Sequence, residues 1–202
     1  MRKYFLILCI SAGFLLMPVM AAANGAVETG AEHEQAAGGM DDLCGVLAKF
    51  GQRVADVWTI GKYDLYAPVY TWHNRFMYSS GKTRKYNEIP GGIGFGKSNI
   101  DEDGDEHTLY AVGFSDSNYK FEPIVGYAFF KNLYLDEARD VSVGLGYSLN
   151  ITGRHEYYYA PLPLPLPVAS FRYKQFSLLA SYVPGGQNDG NVLFVMAKWT
   201  FD

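Results

Sequence analysis

The sequence predicts an all-β fold: an eight-stranded antiparallel transmembrane β-barrel preceded by an N-terminal amphipathic helix. Three observations predict it. The 202 residues include 16 Tyr and 22 Gly, and only 19% are charged, a composition of strands and turns rather than helices. From Lys62 onward, larger and smaller or more polar residues alternate with a period of two in eight separate runs, as in pleated strands whose successive side chains point to opposite faces. The 141 residues from Lys62 to Asp202 allow about 17–18 per strand and connection, which suits a small membrane barrel. A hydrophobic fraction of 49% with 16% aromatics excludes a disordered chain. A formal charge of −4 offers no basic field to a nucleic acid, so none is expected as a partner.

Taken in order, residues 1–23 read as a secretory signal peptide. Arg2 and Lys3 give a positive start, Tyr4 to Met20 is apolar, and Ala21-Ala22-Ala23 supplies small residues for cleavage. An uncleaved anchor is the alternative, because the apolar run is nearly long enough to span; Pro18 and the small residues after it favour cleavage. Cys9 lies inside the apolar stretch with bulky Leu8 before it, which argues against a lipoprotein. Cleavage removes Cys9 and leaves Cys44 without an intrachain partner, so no disulfide framework is expected. Residues 24–40, rich in Ala, Gly and Glu, read as a flexible lead-in.

The remainder, 41–202, is one unit of helix plus barrel. Over 41–59, Leu43, Leu47, Phe50, Val54, Val57 and Trp58 recur at helical spacing. Such a helix either lies in a membrane interface or packs on a soluble core. The first strand begins near Tyr66 and carries the alternation on to Tyr78. The others lie near 91–98, 107–116, 122–132, 140–152, 166–172, 175–183 and 191–201. The acidic stretch Asp101 to Glu106 reads as a solvated turn, since its glycine falls in the wrong place for an EF-hand. Ser115-Asp116-Ser117-Asn118 and Gly185 to Gly190 read as further turns. Pro161, Pro163, Pro165 and Pro167, alternating with Leu, read as a stiff loop. The aromatic terminal strand, with Trp199 and Phe201, is of a kind usual in outer-membrane barrels.

The faces carry the first functional hint. Tyr110, Val112 and Phe114 on one strand are expected to face lipid, as are Val125, Tyr127 and Phe129 on the next and Val141, Val143, Leu145 and Tyr147 on a third. The opposite faces, expected to point inward, are Leu109, Ala111 and Gly113; Ile124, Gly126 and Ala128; and Ser142, Gly144, Gly146 and Ser148. Phe194 and Met196 are also expected inside. On the first strand, Ala67, Val69, Thr71, His73 and Arg75 form an inner face that turns from apolar to polar. Small residues leave room and apolar ones exclude water, so the interior is expected to be a narrow slot with a polar mouth, suited to a hydrocarbon chain. A soluble lipocalin-like barrel would share the slot but show more charge outside.

Tyr63-Asp64-Leu65-Tyr66, Thr71-Trp72-His73, Lys85-Tyr86-Asn87-Glu88, Gly94-Phe95-Gly96, Phe121-Glu122-Pro123-Ile124, Pro161-Leu162-Pro163 and Asn188-Asp189-Gly190-Asn191-Val192, in this order and spacing, resemble the lipid A palmitoyltransferase (PagP) family. The resemblance runs from about Asp42 to Phe201. It implies an outer-membrane enzyme that moves a palmitoyl chain from the sn-1 position of a phospholipid to lipid A, without metal or soluble cofactor. The chain is expected to act as a monomer or weak dimer. By this resemblance the catalytic residues are His73, Asp116 and Ser117. His73 would be the base, Asp116 its orienting group, and Ser117 either a donor to the oxyanion or a nucleophile; the lack of a G-x-S-x-G elbow favours the donor.

The resemblance also pairs Pro68 with Pro90 and Pro167 with Pro184 as weakened seams for lateral lipid admission. It places Ala128 at the floor of the acyl pocket, where relatives have glycine, so a slightly shorter chain is expected. Arg154, with Arg75 and Lys120, is a candidate for lipid A phosphates. A non-enzymatic lipid-binding or structural outer-membrane barrel is the competing reading.

Overall fold

The computed structural model describes residues 31–187 and 190–202. The expected signal segment 1–23 and the first part of the lead-in, 24–30, lie outside the described residues, as do Asn188 and Asp189. Helix α1 (Ala31–Ile60) passes through the division between two compact units at Ala55 and Asp56. It begins earlier than the apolar spacing alone indicates, and its first turns are rich in Ala, Glu and Gln, strong helix formers. Its last turn belongs to the second unit. There Val57 is fully buried, Trp58 is exposed, and Lys97 Nζ donates to the Trp58 carbonyl at 2.6 Å. A cation on a terminal carbonyl suits the negative end of a helix.

Eight antiparallel strands then close into a barrel, each paired with its sequence neighbours and β1 with β8. They are β1 (Lys62–His73), β2 (Gly92–Ile100), β3 (Glu106–Ser115), β4 (Phe121–Tyr134), β5 (Val141–Gly153), β6 (Pro161–Tyr173), β7 (Phe176–Val183) and β8 (Val192–Thr200). A short helix, α2 (Ser80–Thr83), lies between β1 and β2. All eight predicted strands are present. β1 ends at His73 rather than near Tyr78, and β6 begins at Pro161, so the Pro-Leu repeat is half a strand and not a loop. Its leucines turn inward and its prolines stay exposed.

The outer wall is apolar. On β5, Val143, Leu145, Tyr147, Leu149 and Ile151 are all exposed, Leu145 at 71%, and Phe95 on β2 is 64% exposed. Eight residue steps of ~3.3 Å make a stripe about 26 Å long. Water does not tolerate so continuous a stripe on a soluble barrel, whereas a bilayer requires it. The interior holds a cluster of Tyr66, Val112, Ala128, Phe130, Leu179 and Met196, with Tyr110, Phe114, Ile124, Val168 and Phe194 packed against it.

Two expected faces are corrected. On β3 the bulky residues Tyr110, Val112 and Phe114 point inward and Ala111 is exposed. The room comes from β2: a Cβ on Gly94 would strike Val112, and one on Gly96 would meet the Tyr66 ring at 2.9 Å. On β1 the pairing with β8 shifts between Pro68 and Tyr70, a bulge that turns the strand over. Asp64, Tyr66 and Pro68 therefore face inward before it, and Thr71 and His73 after it, while Ala67 and Val69 are exposed. The expected inner positions of β4, β5 and β8 stand.

Candidate active site

His73 ends β1 at one mouth of the barrel, and its side chain points inward because the bulge resets the strand's alternation. The residue is 1% exposed. Backbone bonds bring two further segments to it. Thr71 N–H donates to the Glu88 carbonyl and Asn87 N–H to the Ser117 carbonyl, both at 2.9 Å. The segment before β2 is thus stitched between β1 and the β3–β4 turn. The result sets His73 Nε2 2.9 Å from Ser117 Oγ, and His73 Nδ1 3.5 Å from Glu88 Oε1. The Nδ1 and Oε1 atoms are themselves shielded from solvent, and their contact is an ion-pair approach rather than a formed hydrogen bond. Arg75 bonds the same Glu88 carboxylate at 2.7 Å. Tyr86 stacks on the imidazole with centroids 4.6 Å apart, and Tyr78 meets it edge-on at 5.4 Å. These rings leave the histidine little freedom to turn.

His73 and Ser117 are therefore brought together. Asp116 is buried beside Ser117, but its Oδ1 accepts the N–H groups of Asn118 and Lys120, both at 2.7 Å. That is an Asx-type turn, which fixes the loop that presents Ser117. Among the described residues, no hydrogen bond or ion pair joins Asp116 to His73. The carboxylate nearest the imidazole is Glu88, which sequence reasoning did not assign. The only sign of it was its place in the Lys85-Tyr86-Asn87-Glu88 motif.

Arg154 lies just past β5 at the same mouth. Its Nε is 3.6 Å from Glu122 and 3.7 Å from Glu156. Burial disfavours the cation, yet the carboxylates of Glu122, Glu156 and Asp116 outweigh it and hold the pKa above its ordinary value. The guanidinium is thus already partnered by acids.

The prolines sit where strand pairing ends. β1 and β2 pair only as far as Tyr66 and Gly94, below Pro68 and Pro90. β6 and β7 pair only as far as Val168 and Ser181, beside Pro167 and short of Pro184. β6 continues to Pro161 against β5 alone. Each proline pair thus flanks a gap in the wall; the one between β6 and β7 opens toward the His73 mouth, whereas the one between β1 and β2 is bounded above by the Thr71–Glu88 bond. Ala128 is buried on the inner face of β4, in register with Thr108 on one side and Ser148 on the other.

Comparison with known proteins adds the identity of the family. Residues 53–198 match the family model of the antimicrobial peptide resistance and lipid A acylation protein PagP. The chain belongs to the PagP family. A relative from Photorhabdus laumondii, named lipid A acyltransferase PagP, is 42% identical over 192 residues, covering 95% of this chain and 92% of its own. Relatives of the same name from Dickeya dadantii and Proteus mirabilis are 40% and 49% identical, covering 94% and 75% of this chain and 93% and 72% of their own. The PagP match takes in every strand of the barrel except the last residues of β8.

Proposed function

We propose that the protein is an outer-membrane acyltransferase that moves a palmitoyl or slightly shorter chain from the sn-1 position of a phospholipid to lipid A. One observation carries the reading: an imidazole bonded to a serine hydroxyl stands at the polar mouth of a barrel that holds an apolar cluster beneath it. The names of the relatives and the exposed apolar wall support it. The mouth with His73 faces the leaflet that holds lipid A. Donor lipid reaches it through the gaps at Pro68/Pro90 and Pro167/Pro184, and its acyl chain descends toward Ala128. The competing structural or lipid-binding barrel gives no reason to bury a histidine against Ser117 and Glu88.

The proton steps follow from the pair. With its proton on Nδ1, facing Glu88, the His73 ring leaves the Nε2 lone pair to Ser117. In a direct route, the lipid A hydroxyl attacks the donor ester carbonyl, gives its proton to His73, and Ser117 donates to the oxyanion. The lysophospholipid alkoxide then leaves with the proton from His73. In a covalent route, Ser117 Oγ attacks, passes its proton to Nε2 and thence to the departing lysophospholipid; the lipid A hydroxyl next attacks the acyl-serine and His73 takes its proton. The 2.9 Å contact favours the covalent route, because it commits the Nε2 lone pair to the serine proton. Glu88 is the positioning residue and Asp116 shapes the loop.

Two measurements test these readings. Expression in a Gram-negative strain lacking its own activity should add one acyl chain to lipid A, read by mass spectrometry; unchanged lipid A would remove the enzymatic reading. Intact-protein mass spectrometry after rapid quench with donor alone should reveal an acyl ester on the chain. Transfer without that ester returns Ser117 to the role of oxyanion donor.

A further inference from the structure

At the mouth opposite His73, strand ends and two of the tight turns surround a polar cavity of about 640 Å³. Five of its lining side chains are cations and three are acids. Most of the cations are matched. Lys62 pairs with Asp202 at 3.2 Å and Lys174 with Asp140 at 3.8 Å. Lys198 pairs with Glu106 and lies 3.9 Å from Asp64. Arg172, its side chain 16% exposed, has only Glu106 at 3.9 Å and shares it with Lys198. Arg139, in the β4–β5 turn, has no carboxylate within ion-pair distance among the described residues. Both guanidiniums lie over one ring instead: Cζ of Arg139 is 5.1 Å from the Tyr134 centroid and Cζ of Arg172 is 5.4 Å from it. A ring face attracts a cation but leaves its N–H donors unused. Among the described residues, neither guanidinium donates a hydrogen bond to a protein acceptor.

The two forks are held in place without a ligand. The Tyr134 hydroxyl donates to the Gly104 carbonyl at 2.8 Å and fixes the ring between them. Asp136 fixes the turn that carries Arg139 by accepting the N–H groups of Asp140 and Val141 at 3.2 and 2.8 Å. The outer wall sets their height. Tyr173 of β6 is in register with Phe176 of β7, and Phe176 with Trp199 of β8. All three rings are exposed, and such a girdle sits at the level of lipid headgroups. Arg172 and Lys174 flank Tyr173 in the chain, so the cavity opens at the height of lipid phosphates.

We infer that this mouth binds a phosphate group between Arg139 and Arg172, with Lys174 at the rim. Planar guanidinium forks match phosphate oxygens two by two, and an anion there would supply the acceptor that both lack. The girdle favours the phosphodiester of a glycerophospholipid headgroup as the source; free phosphate offers the same chemistry. Under the orientation proposed above, this mouth faces the leaflet of glycerophospholipids. The site lies at the other end of the barrel from His73 and takes no part in acyl transfer.

The test follows the backbone amides of Arg139, Asp140 and Arg172 by NMR, with the purified full chain in phosphate-free maltoside micelles. A diether phosphatidylglycerol, which the enzyme cannot cleave, should shift them saturably; amides around Ser117 report separately on lipid at the catalytic mouth. The matched diether glycerol, without the phosphate, should leave the three amides unmoved. Arg139→Gln should weaken the binding by about tenfold or more, and Arg139→Lys by less. Lys131→Gln, which removes a cation of the outer wall, should leave it unchanged. Sodium phosphate titrated alone separates the sources: saturation by it with no response to the lipid removes the headgroup and keeps the phosphate. Equal shifts with the diether glycerol, no saturable shift with either phosphate source, or unchanged affinity in Arg139→Gln overturns the inference. Acyl transfer by Arg139→Gln should match that of the parent, so the site and the acyltransferase reading fail independently.

Discussion

At the scale of single residues, the site is held by contacts that alternation does not encode. His73→Ala should lower transfer by about 10²- to 10⁴-fold, the usual worth of a general base, while the thermal melt of the barrel stays close to that of the parent. Loss of the fold together with activity would make His73 a packing residue instead. Glu88→Gln should reduce kcat by about tenfold with KM unchanged, and Glu88→Asp should restore part of it, because a shorter carboxylate still faces Nδ1. A purely structural glutamate would not show that split. His73 and Ser117 were legible in the sequence only through their family motifs, since a lone histidine in a strand and a serine in a turn are unremarkable chemistry. Glu88 was not legible as their partner, because the contact depends on two backbone bonds, Thr71 to Glu88 and Asn87 to Ser117, that join distant segments.

At the scale of elements, all eight strands could be read from period-two runs, but which face is inner could not be read everywhere. The rule that bulky residues face lipid held on β5, where Ser142, Gly144 and Ser148 line the inside. It failed on β3 because the neighbouring glycines of β2 vacate the space that Tyr110 and Val112 fill. It failed on the first half of β1 because a single extra residue near Pro68 inverts the alternation. The gap between β6 and β7 leads to a prediction at this scale. The double variant Pro167→Cys, Pro184→Cys, once oxidised, should lose transfer and regain it on reduction. Equal activity in both states would mean that lipid does not pass there.

At the scale of the whole molecule, the outer surface decides the environment. Leu145→Arg, placed within the β5 stripe, should destabilise the barrel in a bilayer by about 2–4 kcal/mol if it lies near the midplane, read from urea unfolding in vesicles. A change within a few tenths would put that stripe in water. The missing rungs between β6 and β7 have a wider consequence. A breach in a wall surrounded by oil ordinarily strands amide hydrogens, each at a cost of several kcal/mol. Alternate residues of a strand turn their backbone groups toward opposite neighbours: the Leu164 carbonyl accepts from Asn150 of β5 and the Pro167 carbonyl from Ser181 of β7, so the leucines are the set turned toward β5. Pro161, Pro163, Pro165 and Pro167 stand where the breach would otherwise expose hydrogens, and they have none. On the β6 side the opening therefore strands no amide hydrogen, and its edge offers no donor to which a foreign strand could pair.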